Sequence, residues 1–362
     1  MAGNIIGKII TLSTFGESHG IAIGGVLDGL PAGLKIDYNL VQQDINRRRP
    51  GQSSLVSGRN ELDNIEFLSG IFDGYTLGTP IAFIVRNKDF KSEDYNQLKN
   101  VYRPSHADYT YEKKYGLRDH RGGGRSSARE TVARVIGGSL AKQFLGKLNI
   151  SIAAYVNRIG SISVDRNYNE LDLKNTETSE VRCPDKEGSE QMIAAIKNAS
   201  NQGDTLGGEI TCIIKNTPIG LGEPVFNKLN ADLARAIMSI NAVKGFEIGS
   251  GFNASRMKGS EHNDLFVVDD GKVHTKTNFS GGIQGGLSNG EDIYFKVAFK
   301  PVATLMKDQQ TIDSKGSPIT IEGKGRHDVT VVPRAVPIVE AMAALVIADH
   351  LLLNKIARID RI

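Results

Sequence analysis

Apolar residues recur with two different periods along the chain. Short runs rich in Ile, Val and Phe between turn-forming residues are typical of strands. They occur at 7–15, 21–27, 81–85, 150–156, 209–215, 265–269 and 293–299. Apolar residues three and four apart are typical of helices. They occur at 38–48, 126–148, 187–199, 228–240 and 334–357. Because the two kinds of segment do not alternate regularly, the pattern predicts an α+β protein rather than a parallel βαβ sheet.

The helix predicted from residue 126 has the clearest pattern. Its apolar residues form one stripe of Val132, Val135, Ile136, Leu140, Phe144 and Leu148. In "SARE", Ser127 precedes Glu130 by three residues, which predicts a capping box at the helix start. The preceding "RGGGRSS" is therefore predicted to be a loop that leads into a helix N-terminus.

That loop belongs to the unusual stretch "YGLRDHRGGGRSSARET" at 115–131. A glycine-rich turn at a helix N-terminus exposes backbone N–H groups, and nearby arginines add donors that match phosphate or carboxylate. The stretch lacks both GxxxxGK[ST] and a GxGxxG after a strand, so it is neither a Walker A loop nor a dinucleotide fingerprint. It fits either an anion site or a flexible loop with solvated arginines.

Two other segments are rich in arginine. "INRRRPGQSS" ends a predicted helix, where cations also complement the helix dipole. "KGRHDVTVVPRAVP" places Arg326, His327, Asp328 and Arg334 close together before the last helix. Each segment fits either a ligand site or a solvated charged loop.

The seven histidines include two in turn-like settings. His19 lies in "TFGESHGIAIGG" and His106 in "YRPSHADYTY", and each fits either a structural role or acid–base catalysis. Neither has an HExxH partner or a nearby cysteine, so no metal site is predicted. Cys183 and Cys212 lack metal-ligand spacing and are predicted to be reduced thiols.

Composition limits the function classes further. The net charge of +3 is too small for a general nucleic-acid-binding surface, and 6% aromatic content argues against stacking platforms for single strands. The N-terminus lacks a signal-peptide pattern, and the apolar segment at 335–352 is interrupted by Pro337, Glu340, Asp349 and His350. It is expected to be a buried helix rather than a membrane span. A cytoplasmic protein with one domain over 1–362 is expected, with 157–190 as a polar surface excursion.

Several long motifs together resemble the chorismate synthase family. They include "TFGESHG" at 14–20, "RRRPGQSS", "RPSHADYTYEKKYGLRD", the 115–131 stretch, "MSINAVKGFEIGSGF", "GGIQGGLSNGEDI" and "GRHD" before the last helix. These motifs follow the family order over nearly the whole chain, which is far more specific than one glycine-rich run. Only about 157–190 carries little family signal.

The resemblance implies a lyase at the end of the shikimate pathway. Such enzymes convert 5-enolpyruvylshikimate 3-phosphate to chorismate and phosphate by a 1,4-anti-elimination that requires reduced FMN, without net redox change. The implied fold is a β-α-β sandwich of antiparallel sheets enclosing helices, assembled as a homotetramer. The implied partners are the substrate and a flavin reductant, either external or NADPH, with no nucleic acid or membrane.

The resemblance also implies a role for individual residues. His19 matches the histidine that protonates the substrate phosphate, His106 the one beside flavin N1, and Asp328 the aspartate that works with flavin N5 to remove the C6 proton. Ser18 and Ser127 match proton relays. The implied flavin contacts are Arg125, Ser126, Ser127, Asn241, Ala242, Gly285, Lys300, Pro301, Val302, Ala303, Thr304 and Arg326. The implied substrate contacts are Arg48, Arg49, Arg59 and Arg134.

The chain departs from the usual family pattern at two positions. Ser54 replaces an arginine that many bacterial members carry, so Arg59 is expected to take more of the anion binding; His120 replaces a frequent tyrosine. Two other function classes stay open at this point. A flavin oxidoreductase would consume NADPH without an added reductant, and an RNA-binding module would bind RNA in a salt-dependent way without flavin.

Overall fold

The computed structural model describes residues 3–50, 63–87, 99–323 and 328–361. The helices are α1 (Tyr38–Arg48), α2 (Asp108–Tyr115), α3 (Thr131–Gly146), α4 (Lys186–Asn201), α5 (Leu229–Met238), α6 (Gly259–His262) and α7 (Val332–Lys355). The strands are β1 (Ile5–Ile6), β2 (Thr11–Phe15), β3 (Ala22–Asp28), β4 (Ile65–Phe67), β5 (Ile71–Phe72), β6 (Tyr75–Thr76), β7 (Ile81–Arg86), β8 (Val101–Tyr102), β9 (Ser151–Ile159), β10 (Ile162–Ser163), β11 (Gly208–Lys215), β12 (Val243–Ile248), β13 (Phe266–Asp269), β14 (Lys272–Thr275), β15 (Ile283–Gln284), β16 (Leu287–Ser288), β17 (Ile293–Phe299), β18 (Gln309–Asp313) and β19 (Pro318–Ile321).

Two five-stranded antiparallel sheets form the framework. The first has the order β1-β2-β3-β7-β4, and the second has the order β10-β9-β11-β17-β12. Helix α3 packs on β2 and β3 of the first sheet, α7 packs on β9 and β11 of the second, and the two helices pack on each other. The helices are therefore enclosed between the sheets, and the α+β sandwich implied by the family resemblance is confirmed.

The contact between α3 and α7 depends on a glycine. A Cβ placed on Gly138 would lie 2.3 Å from the Cβ and 2.4 Å from the Cα of Ala341. Real atoms do not approach so closely, so the two backbones can touch only because Gly138 has no side chain. Small residues thus set the distance between the two central helices.

Helix α7 is buried on all sides over most of its length. By length and composition alone it is apolar enough to cross a membrane, but 89% of its most apolar window is buried inside the protein. Its buried polar side chains have partners in the fold. Glu340 binds Arg47 and Lys142, Asp349 accepts the N–H groups of residues 8–10, and His350 pairs with Asp232. The expectation of a buried core helix is confirmed.

Most predicted elements are present, with boundary shifts. The predicted helix 38–48 coincides with α1, because Asp37 caps it: the Asp37 carboxylate accepts the N–H groups of Asn39 and Leu40. The predicted strand 7–15 is interrupted, since β1 ends at Ile6 and β2 begins at Thr11. The predicted strand 265–269 corresponds to β13. The structure also contains α2, α6, β14, the β5–β6 and β15–β16 hairpins and the β18–β19 pair, for which no element was predicted.

The predicted start of α3 is wrong. Two short 3-10 turns, Gly124–Ser126 and Ala128–Glu130, precede the α-helix, which begins at Thr131. The predicted capping box is also wrong. Ser127 Oγ accepts the N–H of Arg129 (3.3 Å), whereas the Glu130 carboxylate pairs with Arg134. Because its carboxylate pairs with Arg134 one turn further along the helix, Glu130 does not form the side-chain bond of a capping box.

The segment 157–190 is only partly a surface excursion. Its chain returns to the core at Val181, Arg182 and Cys183, which are all buried, and Arg182 donates to the carbonyl of Pro333. Cys183 and Cys212 are both buried free thiols, as predicted. Burial raises the pKa of Cys183 to about 11, so this thiol is protonated at neutral pH.

Candidate active site

One cavity of about 460 Å³ collects residues from six separate segments. These segments are the C-terminal end of α1, the turn before α2, the glycine-rich loop, the turn after α5, the segment after β17 and the start of α7. The lining residues are Arg48, Pro50, Arg103, Ser105, His106, Ala107, Gly123, Ser126, Ser127, Ala128, Arg129, Asn241, Ala242, Lys300, Pro301, Val302, Ala303, Thr304, Asp328, Val331 and Arg334. Most of the sequence-predicted site residues are among them.

The glycine-rich loop is fastened to the turn after α5. Asn241 Nδ2 donates to the carbonyl of Ser126 at 2.8 Å, and Ser126 Oγ donates to the carbonyl of Gly123 at 2.6 Å. Asn241 Oδ1 is buried and has no hydrogen-bond partner among the described residues. A buried acceptor without a donor is costly, so this wall of the cavity is suited to a ligand that carries an N–H or O–H group.

Two lining residues hold a backbone conformation that is rare for side-chain-bearing residues. Ser105 has φ +58° and Ala242 has φ +68°, both in the left-handed region. Such strain concentrates at functional sites. Ser105 directly precedes His106, and Ala242 directly follows Asn241, so the turns that present these two side chains are both unusual.

His106 is held in a defined protonation state. Its Nδ1 lies 3.0 Å from the carbonyl oxygen of Pro104, which can only accept, so Nδ1 carries the proton. Its Nε2 lies 3.3 Å from Thr304 Oγ1 and is therefore free to accept. Burial, together with the positive charge of Arg103, lowers the pKa of His106. The imidazole is thus neutral at pH 7.

Around the cavity, two carboxylates are each shared by two arginine side chains. Asp63, which is 1% exposed, binds both Arg48 (3.0 Å) and Arg129 (2.5 Å). Asp108 likewise binds Arg103 (2.7 Å) and Arg118 (2.8 Å). At Asp63, two guanidinium groups thus face one shared carboxylate.

The excess of positive charge affects Arg48 directly. Burial is the main cause that lowers its pKa to about 10, with repulsion by Arg334 and Arg129 in addition and the attraction of Asp63 opposing. Arg334 in turn pairs with Asp328 and donates from Nε to the carbonyl of Arg48 at 3.0 Å. Of the lining residues, five are permanent cations (Arg48, Arg103, Arg129, Lys300 and Arg334), and Asp328 alone is a carboxylate. The cavity is therefore suited to a ligand with several negative charges.

Ser18 and His19 lie behind the glycine-rich loop rather than among the lining residues. Ser18 Oγ is 3.0 Å from His19 Nδ1. The imidazole rests against Gly122, because a Cβ placed there would lie 2.1 Å from Nδ1. The next residue along the chain, Gly123, lines the cavity, so the two motifs "GESHG" and "RGGGRSS" meet at its wall.

Four predicted site residues have their described contacts elsewhere. Arg125 donates to Asn4, Thr14 and the carbonyl of Gly16, which ties the loop to the end of β2. Arg134 pairs with Glu130 and donates to Ser239. Arg49 ends α1, and Gly285 occupies the turn between β15 and β16. Arg59, Arg326 and Ser54 lie outside the described residues.

Two arginines of the cavity, Arg103 and Arg129, were missed in the sequence, and a third, Arg334, was noted in a candidate segment without being assigned to the site. Arg103 stands beside the "PSHAD" motif, Arg129 lies within "SSARE", and Arg334 lies at the start of α7. The available signal was that each accompanies a segment already assigned to the site. Spacing alone did not show which arginines of each segment face the cavity.

Comparisons with known proteins match the chain over nearly its whole length. The model of the family "Chorismate synthase" matches residues 10–352. The chain is 62% identical to the chorismate synthase of Christiangramia forsetii, over 99% of this chain and 100% of that protein. It is 58% identical to the chorismate synthase of Flavobacterium psychrophilum, over 98% and 99%. A crystal structure of a chorismate synthase superposes with a TM-score of 0.78 at 32% identity, covering 98% of this chain and 96% of that one.

Proposed function

The chain belongs to the chorismate synthase family, and on that premise we propose that the cavity binds 5-enolpyruvylshikimate 3-phosphate and eliminates its phosphate. The family's enzymes are carbon–oxygen lyases. In their reaction the C–O bond to phosphate breaks and the C6–H bond is lost, so that chorismate and inorganic phosphate form without net oxidation. The chain's residues must therefore bind three anionic groups, accept one proton and donate another.

The excess of cations in the cavity is the observation that carries this proposal. Five permanent cations line it against one carboxylate. The substrate has two carboxylates and one phosphate, which match bidentate guanidinium donors. The resemblance assigns Arg48, Arg49, Arg59 and Arg134 to the substrate. The geometry favours Arg48 together with Arg103, Arg129 and Arg334.

The family uses reduced flavin, and the residues present fit FMN. The unpartnered Asn241 Oδ1 can accept a hydrogen bond, and Lys300 can pair with a phosphate. The residues that would hold the cofactor are Ser126, Ser127, Asn241, Ala242 and Lys300 to Thr304, with Arg125, Gly285 and Arg326 added by resemblance. When bound, reduced FMN supplies electron density transiently and recovers it.

The proposed acid–base groups have distinct settings. Asp328 lines the cavity and is paired with Arg334, and it is the proposed acceptor of the C6 proton. His106 donates from Nδ1–H to the carbonyl of Pro104, and its Nε2, which lies 3.3 Å from Thr304 Oγ1, would be the ring atom available to reduced FMN. His19 donates a proton to the departing phosphate, with Ser18 and Ser127 as relays.

An anaerobic assay with reduced FMN and 5-enolpyruvylshikimate 3-phosphate tests the proposal. We expect chorismate and phosphate to appear in equal amounts, and neither to appear without reduced flavin. Folded protein that releases neither product under these conditions would exclude the function.

We further propose a cytoplasmic homotetramer that engages neither nucleic acid nor membrane. The reductant is external or NADPH, and NADPH consumption by purified protein with FMN distinguishes the two. Net NADPH oxidation that is independent of the substrate, without chorismate formation, would favour a flavin oxidoreductase instead.

A further inference from the structure

The contact between Gly122 and His19 joins two segments that are about 100 residues apart in sequence. A Cβ on Gly122 would lie 2.1 Å from His19 Nδ1, 2.3 Å from Cε1 and 3.0 Å from Ser18 Oγ. Both Gly122 and His19 are buried. The backbone of the glycine-rich loop therefore lies directly against the imidazole and its serine partner.

Backbone conformation does not explain this glycine. Gly124, two residues later, has φ +53°, a left-handed value that favours glycine, and open space where its Cβ would be. Gly122 has the opposite properties: its φ lies outside the left-handed region, and its Cβ position is filled. Any residue could adopt the backbone of Gly122, but only glycine leaves room for the ring.

The contact controls the orientation of the ring. Ser18 Oγ engages Nδ1 at 3.0 Å, and Gly122 blocks the space beside Nδ1 and Cε1. A methyl group on Gly122 would displace both the ring and the serine. Small displacements of a proton donor are expensive, because proton transfer needs heavy-atom distances of about 2.6–3.2 Å.

We propose that Gly122 is a positioning residue for His19: its bare backbone holds the imidazole in the orientation that serves the leaving phosphate. This inference rests on the proposed function of His19 as the proton donor. It gives the glycine-rich loop a second task, since the segment whose Ser126 and Ser127 line the cavity also aligns the acid behind its wall.

The test begins with Gly122→Ala. We expect kcat to fall about 10²-fold or more, within the range that general acid catalysis contributes. Substrate KM and FMN affinity are expected to stay within about threefold, because the ring is moved and the anion-binding arginines are not. Gly146→Ala is the matched control, since Gly146 ends α3 with open space at its Cβ position, and its kcat should equal that of the wild type.

A double variant separates positioning from a general packing defect. In a His19→Ala background the ring is absent, so adding Gly122→Ala should change kcat by less than about twofold, because coupled residues are not additive. If Gly122→Ala alone does not fold, the same double variant should restore folding. The inference would be overturned if the two substitutions lower kcat by factors that multiply in the double variant. It would also be overturned if the double variant fails to fold. An inactive wild type with reduced FMN and substrate would overturn the proposed function itself, whereas an active wild type with multiplying effects overturns only the role of Gly122.

Discussion

Asp63 shows how much one residue can control in this site. It is 1% exposed and is the counter-ion of both Arg48 and Arg129. One carboxylate thus serves two guanidinium groups, both of which line the cavity. Sites that bind multiply charged ligands are preorganised in this way before the ligand arrives.

Replacing this carboxylate removes the counter-ion of the buried Arg48 and one counter-ion of the partly buried Arg129. We expect Asp63→Asn to lower the free energy of unfolding by about 3–5 kcal/mol, the range for breaking a buried ion pair. The substrate analogue shikimate 3-phosphate should restore part of that loss, because its phosphate supplies negative charge. Denaturant unfolding with and without the analogue measures both effects. Asp360→Asn, which breaks an exposed pair with Arg358, is the control and should change stability by less than about 0.5 kcal/mol. An equal loss in both variants would contradict the shared role of Asp63.

The acid–base residues are tested by removing their side chains. His106→Ala and Asp328→Ala are expected to fold and to bind FMN, yet to lose about 10²- to 10⁴-fold in turnover. Anaerobic turnover and flavin titration separate the two properties. His274→Ala, on the β13–β14 hairpin, is the control. A wild-type rate in either variant would remove that residue from the mechanism.

At this scale, the family motifs predicted polar residues that line the cavity, such as His106, Ser126 and Asn241. They did not single out Arg103 or Arg129, and they left Arg334 in a segment that fitted either a ligand site or a solvated loop. An arginine side chain is long and flexible, so whether it faces a cavity or a neighbouring carboxylate depends on how distant loops pack. The positions of Asp63 and Asp108 decide this, and they are visible only in the folded chain.

Among the elements, α3 and α7 cross with their backbones in close contact at Gly138 and Ala341. Gly138→Ala would place its methyl group against the backbone of Ala341, so we expect a loss of about 1–3 kcal/mol, as for overpacked cores. Gly146→Ala in the same helix meets open space and should instead raise stability by about 0.5–1 kcal/mol through helix propensity. Denaturant unfolding of the two variants checks the difference in sign. A similar small gain in both would mean that the helices can separate at no cost.

The buried ion network between α1, α3 and α7 makes the free energy of unfolding depend on pH. Burial alone would raise the pKa of Glu340, but Arg47 and Lys142 outweigh it and lower the pKa to about 2. A carboxyl group whose pKa is lower in the folded than in the unfolded state stabilises the fold at pH values above its unfolded pKa. This stabilisation is lost as the pH falls towards the folded-state pKa. Wild-type stability should therefore decline between about pH 4.5 and pH 2.

Glu340→Gln tests this network. We expect a loss of about 3–5 kcal/mol at pH 7, because Arg47 and Lys142 lose a buried counter-ion. The variant should also lose less stability than the wild type between about pH 4.5 and pH 2, since the titrating group is gone. Unfolding at several pH values measures both. Glu190→Gln, on the exposed side of α4, is the control and should show the wild-type dependence of stability on pH. If Glu340→Gln loses as much stability as the wild type between about pH 4.5 and pH 2, other groups cause the pH dependence.

Sequence predicted elements best where a periodic pattern is bounded by a strong cap. Helix α1 matches because Asp37 starts it and Pro50 follows its end. The start of α3 was misplaced because Arg125, Ser126 and Ser127 form tight turns that continue the helical spacing without α-helical hydrogen bonds. The short helix α2 has almost no apolar stripe, so periodicity did not reveal it.

At the scale of the whole molecule, the β13–β14 hairpin exposes an apolar face. Phe266 and Val268 lie on the same face of β13, Val268 pairs with Val273 of β14, and all three are more than 60% exposed. Contiguous exposed apolar residues mark interaction surfaces. This hairpin is therefore a good place for contacts in the proposed homotetramer.

Charges on this face should weaken such an assembly. We expect the double variant Phe266→Glu, Val268→Glu to shift the protein from tetramer to smaller species, as measured by light scattering. Leu117→Glu is the control, because Leu117 is an exposed apolar residue outside the hairpin. A tetramer in the hairpin variant would exclude this surface, and a monomeric wild type would exclude the tetramer.

Helix α7 lies between the sheets, yet it follows all nineteen strands of the described chain. On the ribosome, both sheets are therefore synthesised before the helix that they enclose. Until residues 332–351 leave the exit tunnel, the parts of β9 and β11 that pack on α7 stay uncovered, and exposed apolar strand surface is prone to aggregation. The sandwich therefore cannot close until α7 has been synthesised, although its first sheet and α3 are made long before.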